Sequence, residues 1–156
     1  MTKTNVMRLL ETAGIEYETL VYEVDESDLS GATIARKTGK DKDIVFKTLV
    51  FCGEKNGYGV CCVPVCEELD LKKTAKVFSE KKVEMLHVKD LLKVTGYIRG
   101  GCSPVGMKKQ FPTVIDETAL LSDKIFLSGG QRGLMLGVNP QKLADYIGAK
   151  FEDVTV

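Results

Sequence analysis

The chain predicts a mixed α+β fold, in which a mixed, largely antiparallel, β-barrel-like sheet is surrounded by helices. Three observations carry that expectation. Segments with a hydrophobic period of two alternate with segments of period near 3.6. The strand-like segments are joined both by tight turns and by helices, the signature of a mixed sheet or open barrel with helices outside it. The length of 156 residues fits one domain, 1–156, with 44% hydrophobic and 28% charged residues as in an ordinary globular chain.

The elements follow in order. Val6, Leu9, Leu10 and Ala13 recur at helical spacing between a capping Thr4 and Gly14. Residues 17–24 alternate as a strand, and 32–38 read as a short helix stopped by Gly39. Residues 43–51 are rich in Val, Ile, Phe and Thr and predict a strong strand, with 58–65 as its hairpin partner across the turn at 53–57. A helix over 70–78, a short strand over 81–85 and a helix over 88–94 ending near Gly96 come next. Strands are expected at 113–116 and 124–128, with a helical turn between them, and at 134–138. Asn139 as cap and Pro140 at the first helical position open a last helix that stops at Gly148.

Composition narrows the function classes. No apolar run approaches the roughly 20 residues of a membrane span, and the first residues lack the apolar core of a signal peptide, so a cytoplasmic protein is expected. Five cysteines without a CxxC pair read as reduced, mostly buried thiols rather than a zinc ribbon or redox pair. With His87 as the single histidine, a histidine-rich metal site is excluded; no metal or cofactor is called for. Formal charge is zero, yet residues 72–109 hold ten Lys/Arg against three acids. Such a stretch is either a set of solvated helix faces or a contact surface for a polyanion.

Two glycine-rich segments carry the chemistry: Gly96-Tyr97-Ile98-Arg99-Gly100-Gly101-Cys102-Ser103-Pro104-Val105-Gly106 and Ser128-Gly129-Gly130-Gln131-Arg132-Gly133. Each sets an arginine beside paired glycines, at the end of an expected strand. Glycine permits close backbone approach, successive N–H groups form an anion-binding concavity, and Arg99 or Arg132 adds a planar fork. Two solvent-facing turns are the alternative. Ser103 and Ser128 are either turn residues or hydroxyls for a ligand. Lys47 shares a strand face with Val45, Leu49 and Phe51, an unusual place for an ammonium unless that face lines a pocket or the strand is a protected edge. Tyr22 is a sheet aromatic or a pocket hydroxyl. Cys102 either fills a tight loop or is a thiol activated by neighbouring N–H groups and Arg99. No G-x-S-x-G elbow is present.

Taken together, these segments resemble the YbaK/EbsC family of Cys-tRNA(Pro) deacylases. The resemblance rests on Phe46-Lys47-Thr48-Leu49, Glu68 to Lys73, Lys81 to Met85, the two glycine segments, and Pro112 to Asp116, and it covers nearly the whole chain. It implies the fold of the editing domain inserted in bacterial-type prolyl-tRNA synthetases. It also implies trans-editing: hydrolysis of Cys-tRNA(Pro), or of Cys-tRNA(Cys), with the substrate's own thiol attacking its ester. By the same resemblance Lys47 and Gly101 are catalytic. Tyr22, Thr48, Gly100, Ser103, Ser128, Gly129, Gly130 and Arg132 bind substrate. The Lys47-Thr48 pair resembles the cysteine branch, related alanine-editing domains having Lys-Asn. The implied partners are mischarged tRNA and, transiently, prolyl-tRNA synthetase, with neither membrane nor DNA involved. Met135 stands where some relatives carry an acid. A module that binds aminoacyl-tRNA or nucleotide without turnover is the alternative.

Overall fold

The computed structural model describes residues 2–156. Helix α1 (Asn5–Thr12) starts at Thr4, whose hydroxyl accepts the Met7 N–H, and it ends with Gly14 in the left-handed region. Strand β1 (Glu18–Val21) leads through a polar loop to α2 (Gly31–Thr38). Strands β2 (Phe46–Gly53) and β3 (Gly57–Pro64) form the expected hairpin. Then come α3 (Leu71–Val77), β4 (Val83–Met85), α4 (Val88–Thr95) and β5 (Thr113–Asp116). After a 3-10 turn at Glu117–Leu121, the chain adds β6 (Ile125–Ser128), β7 (Leu134–Val138), α5 (Pro140–Ile147) and β8 (Lys150–Glu152).

The strands form two sheets. One has the order β1-β7-β6, antiparallel throughout; the other has the order β4-β2-β3-β5-β8, with β3-β5 and β5-β8 parallel. A parallel bridge between Val45 and Phe126 joins them. The result is barrel-like and largely antiparallel but not closed, because β1 and β8 keep free edges.

Three expectations change. Asp43 and Ile44 lie in a 3-10 turn (Lys42–Ile44), because the Asp41 carboxylate caps the Asp43 N–H and holds the chain curled before β2 begins. The first glycine segment follows helix α4, not a strand; Gly96 caps that helix with φ of 89°. Strand β8 was not expected: its three residues alternate too briefly to announce themselves, and they become a strand by pairing with the already buried β5.

Two apolar clusters fix the frame. In the larger, Val6, Met7 and Leu10 of α1 and Leu143 and Ile147 of α5 cover Ile125, Leu127, Leu134 and Leu136 of the three-stranded sheet. In the second, Ala75 of α3 covers Phe51, Cys61, Val63 and Val114 of the five-stranded sheet. Burial of each such side chain contributes roughly 1.5–3 kcal/mol.

Candidate active site

The site arises where β2 changes neighbours. One long edge of β2 is paired with β3 along its length. On the other edge β4 pairs only with Phe51–Gly53, the Leu86 N–H donates to the Val50 carbonyl (3.0 Å), and β6 touches only at Val45. Between those contacts no strand is paired to residues 46–49. The gap opens into a cavity of about 650 Å³ lined by residues of β2, by Leu29 to Ala32 and Ile34, by Met85, Leu86, Val88 and Leu91, by Arg99, Gly100 and Cys102, and by Val65, Ser128 and Met135.

Four of the sequence-expected residues line this cavity: Lys47, Thr48, Gly100 and Ser128. Lys47 is half-buried and forms no ion pair among the described residues. Arg99 also lines the wall, whereas no Asp or Glu does, so the cavity is apolar with two cations. It suits a ligand with an anionic or carbonyl oxygen and a small apolar body.

The other expected residues build the walls from behind. Arg132 does not reach into the cavity: its Nε donates to the Arg99 carbonyl (2.8 Å) and its Nη1 lies 3.7 Å from Glu26. The two glycine loops therefore touch. A Cβ on Gly101 would lie 3.1 Å from the Gln131 Cα and 3.2 Å from the Arg132 backbone nitrogen, so glycine is what lets them close. The Gly101 N–H donates to the Ile98 carbonyl (2.9 Å). The N–H groups of Gly100 and Cys102, on either side of it, have no hydrogen-bond acceptor among the described residues. Ser103 is buried, and its hydroxyl accepts the Val105 N–H rather than facing the cavity. In the second loop Ser128 Oγ accepts the Gly130 N–H (3.3 Å), the Gly129 N–H donates to Leu134, and the Gly129 carbonyl accepts from Thr4 (2.8 Å). Tyr22 is buried with Val45, Phe126 and Met135, one layer behind the lining. Met135 itself lines the cavity.

The chain's own nucleophiles are poorly suited to attack. Burial pushes the Cys102 thiol up to about 12, so it is neutral at neutral pH despite its glycine neighbours. Cys61 is raised to about 12 and Cys62 is raised as well, both by burial. His87 is exposed at the start of α4, and its side chain caps nothing.

Sequence reasoning did not single out the segment Leu29 to Ile34 or the apolar wall of Met85, Leu86, Val88 and Leu91. Ser30 before Gly31 was a legible helix cap; that this cap faces a cavity depends on the distant partners of β2.

A family model described as the aminoacyl-tRNA editing domain matches residues 29–146. The chain is 45% identical over 153 residues to EbsC of Enterococcus faecalis (strain ATCC 700802 / V583), named as a candidate Cys-tRNA(Pro)/Cys-tRNA(Cys) deacylase; the match covers 98% of this chain and 93% of that one. A crystal structure described as a candidate trans-editing enzyme for prolyl tRNA synthetase superposes with a TM-score of 0.81 at 25% identity, covering 99% of each chain. The hypothetical protein APE2540 shares the fold, with a TM-score of 0.88 at 22% identity over 98% of this chain and all of its own.

Proposed function

The chain belongs to the aminoacyl-tRNA editing domain family, and from that premise we propose that it hydrolyses the ester bond of mischarged Cys-tRNA(Pro). One observation carries the reading. A single cavity collects Lys47, Thr48, Ser128 and two unengaged backbone N–H groups, yet offers no activated nucleophile. Such a site positions and stabilises; the nucleophile belongs to the substrate.

The chemistry balances without further groups. The cysteinyl thiol gives up its proton to solvent, and its sulfur attacks the ester carbonyl carbon. The bond from that carbon to the ribose oxygen breaks, and the ribose hydroxyl leaves with a proton. The four-membered thiolactone that remains is opened by water to cysteine. The protein holds sulfur and carbonyl in attack geometry, an effect worth up to roughly 7–11 kcal/mol of barrier. The N–H groups of Gly100 and Cys102 are the available donors to the developing oxyanion, in place of the N–H of Gly101, which Ile98 already occupies. Lys47 adds positive charge to the same cavity. Ser128 supplies a hydroxyl beside the apolar wall that takes the cysteine side chain, and Thr48, whose hydroxyl lies 3.8 Å from the buried Cys62 sulfur, supplies a second. A prolyl-tRNA synthetase acting alongside would supply selection among tRNA bodies, for which a chain with net charge zero has little long-range attraction of its own.

The test is the decay of Cys-tRNA(Pro) at neutral pH with and without the protein, beside Pro-tRNA(Pro) and Ala-tRNA(Pro). Accelerated loss of the cysteinyl ester alone is expected. Lys47→Ala should lower that rate by about 10²–10³-fold with an unchanged melting transition. A folded Lys47→Ala protein with wild-type turnover would overturn the role of the ammonium, and equal loss of the alanyl ester would overturn the substrate thiol as nucleophile.

A further inference from the structure

Among the described residues, four of the eleven large hydrophobic side chains left exposed on the surface lie between residues 85 and 98: Met85 (39%), Val88 (60%), Leu92 (53%) and Ile98 (47%). Val88 and Leu92 stand four residues apart on α4 and therefore on one face. Met85 and Val88 also line the cavity, so this apolar strip begins at its mouth. Lys89 and Lys93, one residue on from each, form a parallel row beside it. From Lys81 to Lys109 the chain holds seven cations against Glu84 and Asp90, and the single ion pair formed there among the described residues is Lys82 with Glu84. Lys73 differs: it is committed to Asp153 (2.9 Å) and to the Thr155 carbonyl (2.7 Å).

An apolar strip flanked by unpaired cations and running into a cavity can seat a single strand without aromatic stacking: base faces lie on the aliphatic surface while phosphates track the cations. We propose that the α4 face, with Met85, Val88, Leu92 and Ile98 as platform and Lys89, Lys93 and Arg99 as phosphate contacts, carries the unpaired 3′ end of an RNA and delivers its terminal ester to the cavity. The occupant is a single-stranded RNA end rather than a protein because cations border the strip and lead to a mouth where Arg99 also stands. The inference rests on the reading of the cavity as an aminoacyl ester site.

The test separates the two claims. Binding of a fluorescein-labelled single-stranded RNA of about eight nucleotides is followed by anisotropy from about 50 to about 200 mM salt. Lys89→Ala with Lys93→Ala should lower the slope of log affinity against log salt by about 1.4, that is, about 0.7 for each lost contact. Leu92→Ser with Ile98→Ser, neither of which lines the cavity, should weaken binding by about tenfold at unchanged slope, since base contact and not charge is removed. In hydrolysis assays the serine pair should raise KM for Cys-tRNA while leaving KM for cysteinyl-adenosine unchanged. Circular dichroism verifies that α4 persists in both variants. RNA affinity and salt slope unchanged in both pairs would overturn the proposal and leave α4 as a protein-docking face, whatever the hydrolysis assay shows. Loss of RNA binding in the variants of a protein that hydrolyses no ester would sustain the platform and sink the deacylase reading.

Discussion

Lys47 and Cys102 show how much chemistry a single position holds before and after its surroundings are known. The alternation Val45, Lys47, Leu49, Phe51 marked an ammonium in an apolar row, and the structure explains the anomaly. Phe51 and Leu49 pack beneath α3, Val45 packs with Tyr22 and Met135, and Lys47 falls between them, where β2 has no outer neighbour. Cys102 was as conspicuous in sequence, between Gly101 and Ser103. What the sequence could not express is its depth: Val50, Val60, Met107 and Phe111 surround it, and burial holds the thiol proton on. Cys102→Ala should therefore keep kcat/KM for the cysteinyl ester within about threefold, and iodoacetamide should label Cys102 slowly at neutral pH. Rapid labelling together with abolished turnover in the alanine variant would establish a protein thiol as nucleophile. Arg132 teaches the converse. It was legible as an arginine in a glycine loop, but its acceptor, the Arg99 carbonyl, is 33 residues away in sequence and appears only once both loops are folded.

Elements were largely readable because their caps and periods are local. Thr4, Ser30, Asp70 and Asn139 each cap a helix through a side-chain oxygen. The open edge of β2 was not readable, since it depends on where β4 stops pairing and β6 begins. The wall at α2 depends on one carboxylate. Asp28 accepts the Thr33 hydroxyl (2.6 Å) and the Ser30 N–H (3.1 Å), fixing the segment Leu29 to Ala32 against the cavity. Those hydrogen bonds, the Thr33 hydroxyl first, lower its pKa from 3.8 to about 2. A depressed carboxylate pKa contributes stability that is in full force above the ordinary value and disappears as pH falls through the folded one. The α2 entrance should thus loosen between about pH 4 and about pH 2, seen as faster amide exchange at Ser30 and Thr33 before the global transition. At neutral pH, Asp28→Ala should raise KM for the cysteinyl ester several-fold. An unchanged KM, with Ser30 and Thr33 still protected, would mean the wall is held by Gly31 against Val65 alone.

At the scale of the molecule, the two ends of the chain serve different purposes, and comparing them isolates what the site needs. The C-terminal end completes the five-stranded sheet: Val154 is fully buried, and its N–H donates to the buried Asp116 carboxylate (3.1 Å), which also accepts both the N–H and the hydroxyl of Thr118. Asp116 does not line the cavity. The N-terminal end supports the site itself, because the Thr4 hydroxyl that caps α1 also donates to the Gly129 carbonyl 125 residues later, while Val6 lies against Gly130. Two variants should separate stability from positioning. Asp116→Ala strands the buried Val154 N–H and should cost about 2 kcal/mol in denaturant titration, with kcat/KM unchanged well below the melting transition. Thr4→Val removes a helix cap and should cost only about 1 kcal/mol. It also frees the second glycine loop, against which the first loop rests through Gly101 and Arg132. Its kcat/KM should therefore fall by about tenfold at temperatures where the protein is fully folded, since donors displaced by a fraction of an ångström lose much of their effect on the transition state. If activity instead follows stability across the two variants, with Asp116→Ala the more impaired, the loops are held by global folding alone and α1 has no positioning role.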